Sequence, residues 1–267
     1  MYKFLLLVVG IFVFNIRAVS CMENQCHYWG EAYERLLLQK VGAKLPELVT
    51  YPFFQYPNEG YPLIYDRISS KHVLVFGYGS LMNKESAARS VKYETLRSMQ
   101  PAIAFGVKRL FNYRMADASH WGAKFHRKEK AMLNLAQTLN IGSMANGVAF
   151  EVDAEDLKKL VAREAGYDLV PILVASWKDV LQQNKDISIQ VAYTFVAVNE
   201  LRNHIAYTST EFYPVLGYLH AVQEAALTYG NEFANFWNET TYLANGTTKI
   251  KGWDGVTFMG ILCTQKP

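Results

Sequence analysis

The sequence predicts an α+β fold, a small mixed and mostly antiparallel β-barrel with helices around it. Three observations carry that expectation. Apolar segments of strand composition recur at Val73 to Phe76, Ala102 to Val107, Met132 to Ala136, Gly147 to Val152, Val170 to Ser176 and Ile187 to Val198. Only short helical patterns lie between them, and not between every pair, which argues against a doubly wound parallel sheet. At 267 residues and 51% hydrophobic content, the chain can bury one full core.

The first twenty residues read as a leader. Met1-Tyr2-Lys3 is a short positive start, Phe4 to Phe14 is an apolar run of h-region length, and Ala18-Val19-Ser20 offers small residues for cleavage after Ser20. The run is too short for a membrane span and is interrupted by Asn15 and Arg17, so no stable span is expected after cleavage. Removing Lys3 and Arg17, with no acid in the segment, lowers the formal charge from +3 to +1. Neither value gives the basic field of a nucleic-acid binder. The expected address is extracytosolic, secreted or periplasmic.

Cysteines are few: Cys21, Cys26 and Cys263. An odd number excludes a disulfide framework but permits one bridge and one free thiol. Lipidation at Cys21 is disfavoured by Arg17 and Val19, which fit a lipobox badly. Two glycosylation sequons are present, Asn238-Glu239-Thr240 and Asn245-Gly246-Thr247.

Residues 21–70 read as an N-terminal extension with one short helix, spaced by Ala32, Leu36, Leu37 and Val41. Pro46, Pro52, Pro57 and Pro62 then break up an aromatic-rich stretch. The main domain is expected over residues 71–267. It opens with the strand Val73 to Phe76, which runs into Gly77-Tyr78-Gly79-Ser80-Leu81-Met82. Glycines on either side of Tyr78 let another group approach the main chain closely, as a cradle for an anion or carboxylate requires. The stretch lacks the third glycine of a dinucleotide loop, the Gly-Lys-Ser/Thr ending of a P-loop, and the Gly-x-Ser-x-Gly of a nucleophile elbow.

A short helix is expected over Asn83 to Arg89. The alternation Ile187-Ser188-Ile189-Gln190-Val191-Ala192-Tyr193-Thr194-Phe195 predicts a strand with one wet face. Val215, Tyr218, Leu219, Val222, Ala225 and Ala226 repeat at helical spacing before Gly230, a second helix is expected over Glu232 to Leu243, and Gly255 to Cys263 is strand-compatible.

The most informative misfit lies between Asp153 and Glu164. Asp153 suits an N-cap, Glu155 and Asp156 suit a first turn, and Leu157, Leu160 and Val161 form a buried stripe. Glu164 falls on that stripe, i+3 from Val161 and i+4 from Leu160. A carboxylate facing a core either pairs with a cation or has its pKa raised, and the second condition suits a general base.

The loop, the small-residue strand Gly147-Val148-Ala149-Phe150-Glu151-Val152, the run Arg163-Glu164-Ala165-Gly166-Tyr167 and the block Pro214-Val215-Leu216-Gly217-Tyr218-Leu219 come in this order. Together they resemble the gamma-glutamylcyclotransferase superfamily over roughly residues 72–232. A departure is Ala225-Ala226, where that family's helix has a Gly-Ala pair. The resemblance implies a barrel with helices around one mouth, Glu164 as catalytic acid/base, and Tyr78, Gly79, Ser80, Leu81 and Tyr218 as substrate-binding residues. It implies a gamma-glutamyl small-molecule substrate and a reaction that needs no cofactor or metal. Glutathione, other gamma-glutamyl amino acids, gamma-glutamyl-lysine crosslinks and acylated antibiotic precursors all fit the same logic.

Other chemistry is less well supported by the residues. Ser80 as a covalent nucleophile has no His identifiable as its base. His120 and His126 lack zinc-ligand spacing. Arg109, Arg114, Lys124, Arg127, Lys128 and Lys130 form a basic stretch expected to be a solvated loop. Two non-enzymatic alternatives stand beside the enzyme: a binding module for a gamma-glutamyl or similar acidic ligand, and a secreted interaction protein acting through residues 21–70.

Overall fold

The structure, a computed structural model, describes residues 29–54, 72–114, 129–164, 166–197, 201–202, 205–206 and 208–253. The element order is α1 (Glu31–Leu48), β1 (Val73–Gly77), a 3-10 turn (Ser80–Met82), α2 (Lys84–Ala87), α3 (Tyr93–Ser98), β2 (Gln100–Phe105), β3 (Val107–Arg114), β4 (Glu129–Gln137) and β5 (Met144–Val152). There follow α4 (Ala154–Arg163), β6 (Asp168–Ser176), α5 (Trp177–Leu181), β7 (Gln190–Val196), β8 (Leu201–Arg202), β9 (Ile205–Ala206), β10 (Tyr213–Pro214), α6 (Leu216–Leu227), α7 (Asn231–Glu239) and β11 (Thr241–Leu243).

The predicted class is the observed one. Five strands close a barrel in the order β1-β5-β2-β6-β7; each pair is antiparallel except β1 with β7, where Val75 faces Tyr193 in parallel and closes the ring. A second sheet, β10-β4-β3-β11, lies alongside, with β3 and β4 antiparallel and the outer strands parallel to their neighbours. Closure removes the barrel's strand edges.

Closure also corrects the wet-face expectation for Ile187 to Val198. The strand is only Gln190–Val196, and from Ala192 onward every residue is buried. Ser188 and Gln190 keep exposed positions of the alternation, but Ala192 and Thr194 on the same face are fully buried where β1 closes against the strand. Tyr51 and Phe54 pack on the other face, their rings 6.2 and 6.1 Å from that of Tyr193. A polar alternation survives at Thr194 because its hydroxyl donates to the Phe76 carbonyl at 2.9 Å.

In α1, Tyr33, Leu37 and Val41 make the buried stripe, while Ala32 is exposed and Leu36 half-buried. The helix runs through Pro46, which sits in its last turn. The second C-terminal helix stops at Glu239, where the chain turns into β11. The leader, Cys21, Cys26, His120, His126, Lys124, Arg127, Lys128 and the segment Gly255 to Cys263 lie outside the described residues. Among the described residues no helix is long and apolar enough to cross a membrane.

Arg109 departs most from expectation. It is fully buried on β3 rather than part of a solvated loop. Its guanidinium donates to Thr241 Oγ1 at 2.7 Å, to the Asn146 carbonyl, to Asn146 Oδ1 at 3.0 Å, and to the Trp237 carbonyl and Thr240 Oγ1 at 3.2 Å each. It also stacks 4.7 Å over the Trp237 ring. One cation thus ties β3, β5, α7 and β11 together through neutral oxygens, and burial lowers its pKa well below the usual guanidinium range. Arg114, at the far end of β3, is exposed as expected.

Candidate active site

The site is built where β1 leaves the barrel. Gly77 ends the strand, and its carbonyl packs against Gly147 on β5; a Cβ at Gly147 would run into that oxygen and lie 2.7 Å from Phe76 Cζ. The small-residue character of β5 therefore serves the loop that follows β1. The chain then folds into the 3-10 turn, closed by the Met82 N–H to the Gly79 carbonyl at 2.9 Å, and Asn83 caps α2 by accepting from the Ser86 N–H at 2.9 Å.

Glycine at 79 is required by a close approach. A Cβ there would lie 2.7 Å from the Tyr218 hydroxyl. That hydroxyl, on α6, receives backbone hydrogen bonds from Leu133 and Ser80, and burial pushes its pKa up, with Glu164 adding to the effect. The Tyr78 hydroxyl, close to the same groups, donates to the Phe195 carbonyl at 2.6 Å. Tyr167 donates to the Leu133 carbonyl at 2.9 Å and stacks on Tyr113 with centroids 4.2 Å apart.

Glu164 closes the helical stripe at the edge of the site. The helix α4 begins as expected, with Asp153 accepting from the Asp156 N–H at 2.9 Å, but ends at Arg163. Glu164 is its C-cap (φ −89°, ψ 36°), bonded through its N–H to the Leu160 carbonyl at 2.8 Å. The chain then turns at Gly166, φ +98°, a conformation that favours glycine. The carboxylate is held at the rim, its side chain 17% exposed. Burial raises its pKa, and Arg163 opposes that rise.

Tyr78, Gly79, Ser80, Leu81, Glu164 and Tyr218 all line one cavity, with Tyr167, Leu133 and Phe195 among the remaining walls. Its volume is about 30 Å³, enough for a water-sized body. A much larger cleft of about 590 Å³ lies between α1 and the barrel, but Val41, Leu45, Phe105, Leu139 and Ile172 are typical of its walls, and no titratable side chain lines it. The titratable side chains Tyr78, Glu164, Tyr167 and Tyr218 are gathered at the small cavity.

Arg163 was not singled out from the sequence as a site residue. Its Nε is 3.1 Å from Glu164 Oε1, its Nη2 donates to Ser80 Oγ at 3.0 Å and Ser86 Oγ at 2.9 Å, and its Nη1 donates to the Ser86 carbonyl at 2.5 Å. One guanidinium therefore touches both the carboxylate and the glycine loop. The available signal was the pairing of an arginine with the misfit glutamate at a helix end, together with two serines in and after the loop. Ser80 Oγ is thus held by a cation, not by a histidine base. Among the described residues no group of three or more His, Cys, Asp or Glu side chains is placed to hold a metal ion.

The family described as ChaC-like protein matches residues 73–216. Among solved structures, the chain is similar to a gamma-glutamyl cyclotransferase at 14% identity and a TM-score of 0.41, over 61% of this chain and 85% of that one. A yeast gamma-glutamyl cyclotransferase specific to glutathione gives 14% identity and a TM-score of 0.40, over 64% and 98% of the two chains. YkqA from Bacillus subtilis gives 16% and 0.45, over 62% and 53%. No curated protein matches the chain.

Proposed function

Given that the chain belongs to the ChaC-like protein family, and so has a gamma-glutamylcyclotransferase-like function, we propose that it cyclises a gamma-glutamyl amine or peptide to 5-oxoproline with Glu164 as acid/base. The observation that carries this reading is the meeting of the Glu164 carboxylate and the Tyr78–Leu81 loop in one cavity, with Arg163 touching both.

The substrate carries its own nucleophile. Its α-ammonium gives a proton to the Glu164 carboxylate, and the freed amine attacks the side-chain carbonyl carbon. A new C–N bond closes the five-membered ring, the bond to the leaving nitrogen breaks as Glu164 returns the proton to that nitrogen, and the ring nitrogen gives up its second proton to the released amine, which departs as an ammonium. A carboxylate whose pKa is raised by burial suits both transfers. Main-chain N–H groups of the loop are the donors available to the substrate carboxylate or the developing oxyanion. The Ser80 N–H, which bonds to the Tyr218 hydroxyl, is one such donor at the cavity wall.

The substrate belongs to the gamma-glutamyl class, with glutathione as its first member to assay. The reading further has the leader removed after Ser20 and the protein exported, supported by the charge and hydropathy of residues 1–20. Residues 71–267 then form the catalytic domain and 21–70 an extension to it. The test is mass-spectrometric detection of 5-oxoproline from purified protein offered a panel of gamma-glutamyl peptides, amines and crosslinks. Turnover of at least one supports the proposal, and saturable binding without turnover of any contradicts it in favour of a binding module.

A further inference from the structure

The two glycosylation sequons have identical chemistry in sequence but opposite surroundings in the fold. Asn238 sits in the last turn of α7, half-buried, and its Oδ1 accepts from Gln223 Nε2 of α6 at 3.1 Å. The partner hydroxyl, Thr240 Oγ1, is buried; it donates to the Phe236 carbonyl at 2.7 Å and accepts from Arg109 Nη2 at 3.2 Å. Both groups of this sequon are committed to the packing of α7. A glycan there, whether added before or after folding, opposes the contact between α6 and α7.

Asn245 lies at the tip of the turn that follows β11. Asn245, Thr247 and Thr248 are exposed, and Gly246 takes φ +70°. The turn is closed beneath them by the Leu243 N–H to the Thr248 carbonyl at 2.8 Å and the Gly246 N–H to the Leu243 carbonyl at 2.9 Å. Asn245 Oδ1 accepts from the N–H groups of Thr247 and Thr248 at 3.1 and 3.0 Å, while Nδ2 points to Thr248 Oγ1 at 2.9 Å on the outer side. Modifying Nδ2 leaves every one of the backbone bonds in place. None of the turn's residues lines either cavity, so a sugar here also leaves the candidate active site open.

We propose that Asn245 is an N-glycosylation site of the exported protein and that Asn238 is not. The proposal rests on export through a compartment that glycosylates. The donor class is a lipid-linked oligosaccharyl pyrophosphate: its C1–O bond breaks, C1 bonds to Asn245 Nδ2, the amide loses one proton, and the lipid pyrophosphate leaves.

The test is to express the full chain with its own first twenty residues in a eukaryotic secretory host and digest the medium protein with a peptide N-glycosidase. The expected result is one loss of glycan mass, with Asn245 converted to Asp, retained in Asn238→Gln and abolished in Asn245→Gln. An exported protein with no glycan, or one whose glycan survives Asn245→Gln, overturns the proposal. If nothing reaches the medium, export by residues 1–20 has failed, and replacing them with a leader of proven export tests Asn245 separately. Glycan at Asn245 in that protein upholds the site; none there overturns it.

Discussion

Arg163 Nε lies 3.1 Å from Glu164 Oε1, and the same guanidinium reaches Ser80 Oγ at 3.0 Å. The carboxylate at the end of α4 and the loop after β1 are therefore held at a fixed separation by one side chain. Two further bonds anchor that side chain to Ser86. Exposed ion pairs contribute little, but this one is 21% and 17% exposed and geometrically tied, so it sets position as well as charge.

Replacing Arg163 with Met removes both functions. Burial already raises the Glu164 pKa, and Arg163 is the group that lowers it, with the phenols of Tyr78, Tyr167 and Tyr218 facing the same carboxylate. In the proposed mechanism Glu164 must be ionised to accept the ammonium proton, so the acidic limb of kcat/KM should move to higher pH in Arg163→Met. Misplacement of the loop should also lower kcat by about tenfold to a hundredfold. Arg163→Lys restores charge but not the fork, and should recover the pH limb more than kcat. Full pH profiles of the three proteins check this.

A neutral residue at position 164 should make the fold no less stable. The folded pKa of Glu164 is raised above the ordinary 4.5, so the folded state holds this proton more tightly than the unfolded chain. Stability from this group is therefore greatest below 4.5 and falls as pH rises through the folded value. Glu164→Gln should melt at the same or a higher temperature than wild type at neutral pH, and the advantage should shrink in acid. Thermal melts at two pH values measure it.

The two glycines that frame the loop should differ in their tolerance of a methyl group. Gly147→Ala meets the Gly77 backbone and the Phe76 ring, neither of which has room to withdraw, and should cost about 3 kcal/mol or more. Gly79→Ala meets the Tyr218 hydroxyl, which can swing away at the loss of its bonds from Ser80 and Leu133. It should cost about 1–3 kcal/mol, with activity falling further than stability. Denaturant unfolding beside kinetics separates the two.

Arg109→Met should be among the most damaging substitutions in the chain. It strips buried donors from Thr241, Asn146, Trp237 and Thr240 at once, and a loss of about 3–5 kcal/mol is expected. Soluble yield and denaturant midpoint report it, with Arg109→Lys recovering only part because an ammonium cannot span the same four residues.

Much of this was legible in the sequence. The loop, the Asp153 cap and the Tyr218 helix are local patterns, and local patterns survive folding. What was not legible depended on partners far along the chain. Arg109 looks like part of a basic run until Thr241 and Asn146 surround it. The alternation in β7 signals a wet face until β1 closes against the strand and buries Ala192 and Thr194. Glu164 closes the stripe of Leu157 and Leu160 as the C-cap, its N–H still bonded to the Leu160 carbonyl at 2.8 Å, so helical spacing alone brings the residue to notice. Arg163 escaped notice because charge at a helix end is ordinary, and only its reach to Ser80 makes it part of the site.

The most direct test of the central claim is 5-oxoproline release by wild type and Glu164→Gln, measured side by side on the best gamma-glutamyl substrate with matched thermal melts. The account predicts release by wild type, loss of about 10³-fold or more in kcat for the variant, and an unchanged or higher melting temperature. A variant that folds and releases 5-oxoproline as fast as wild type would contradict it.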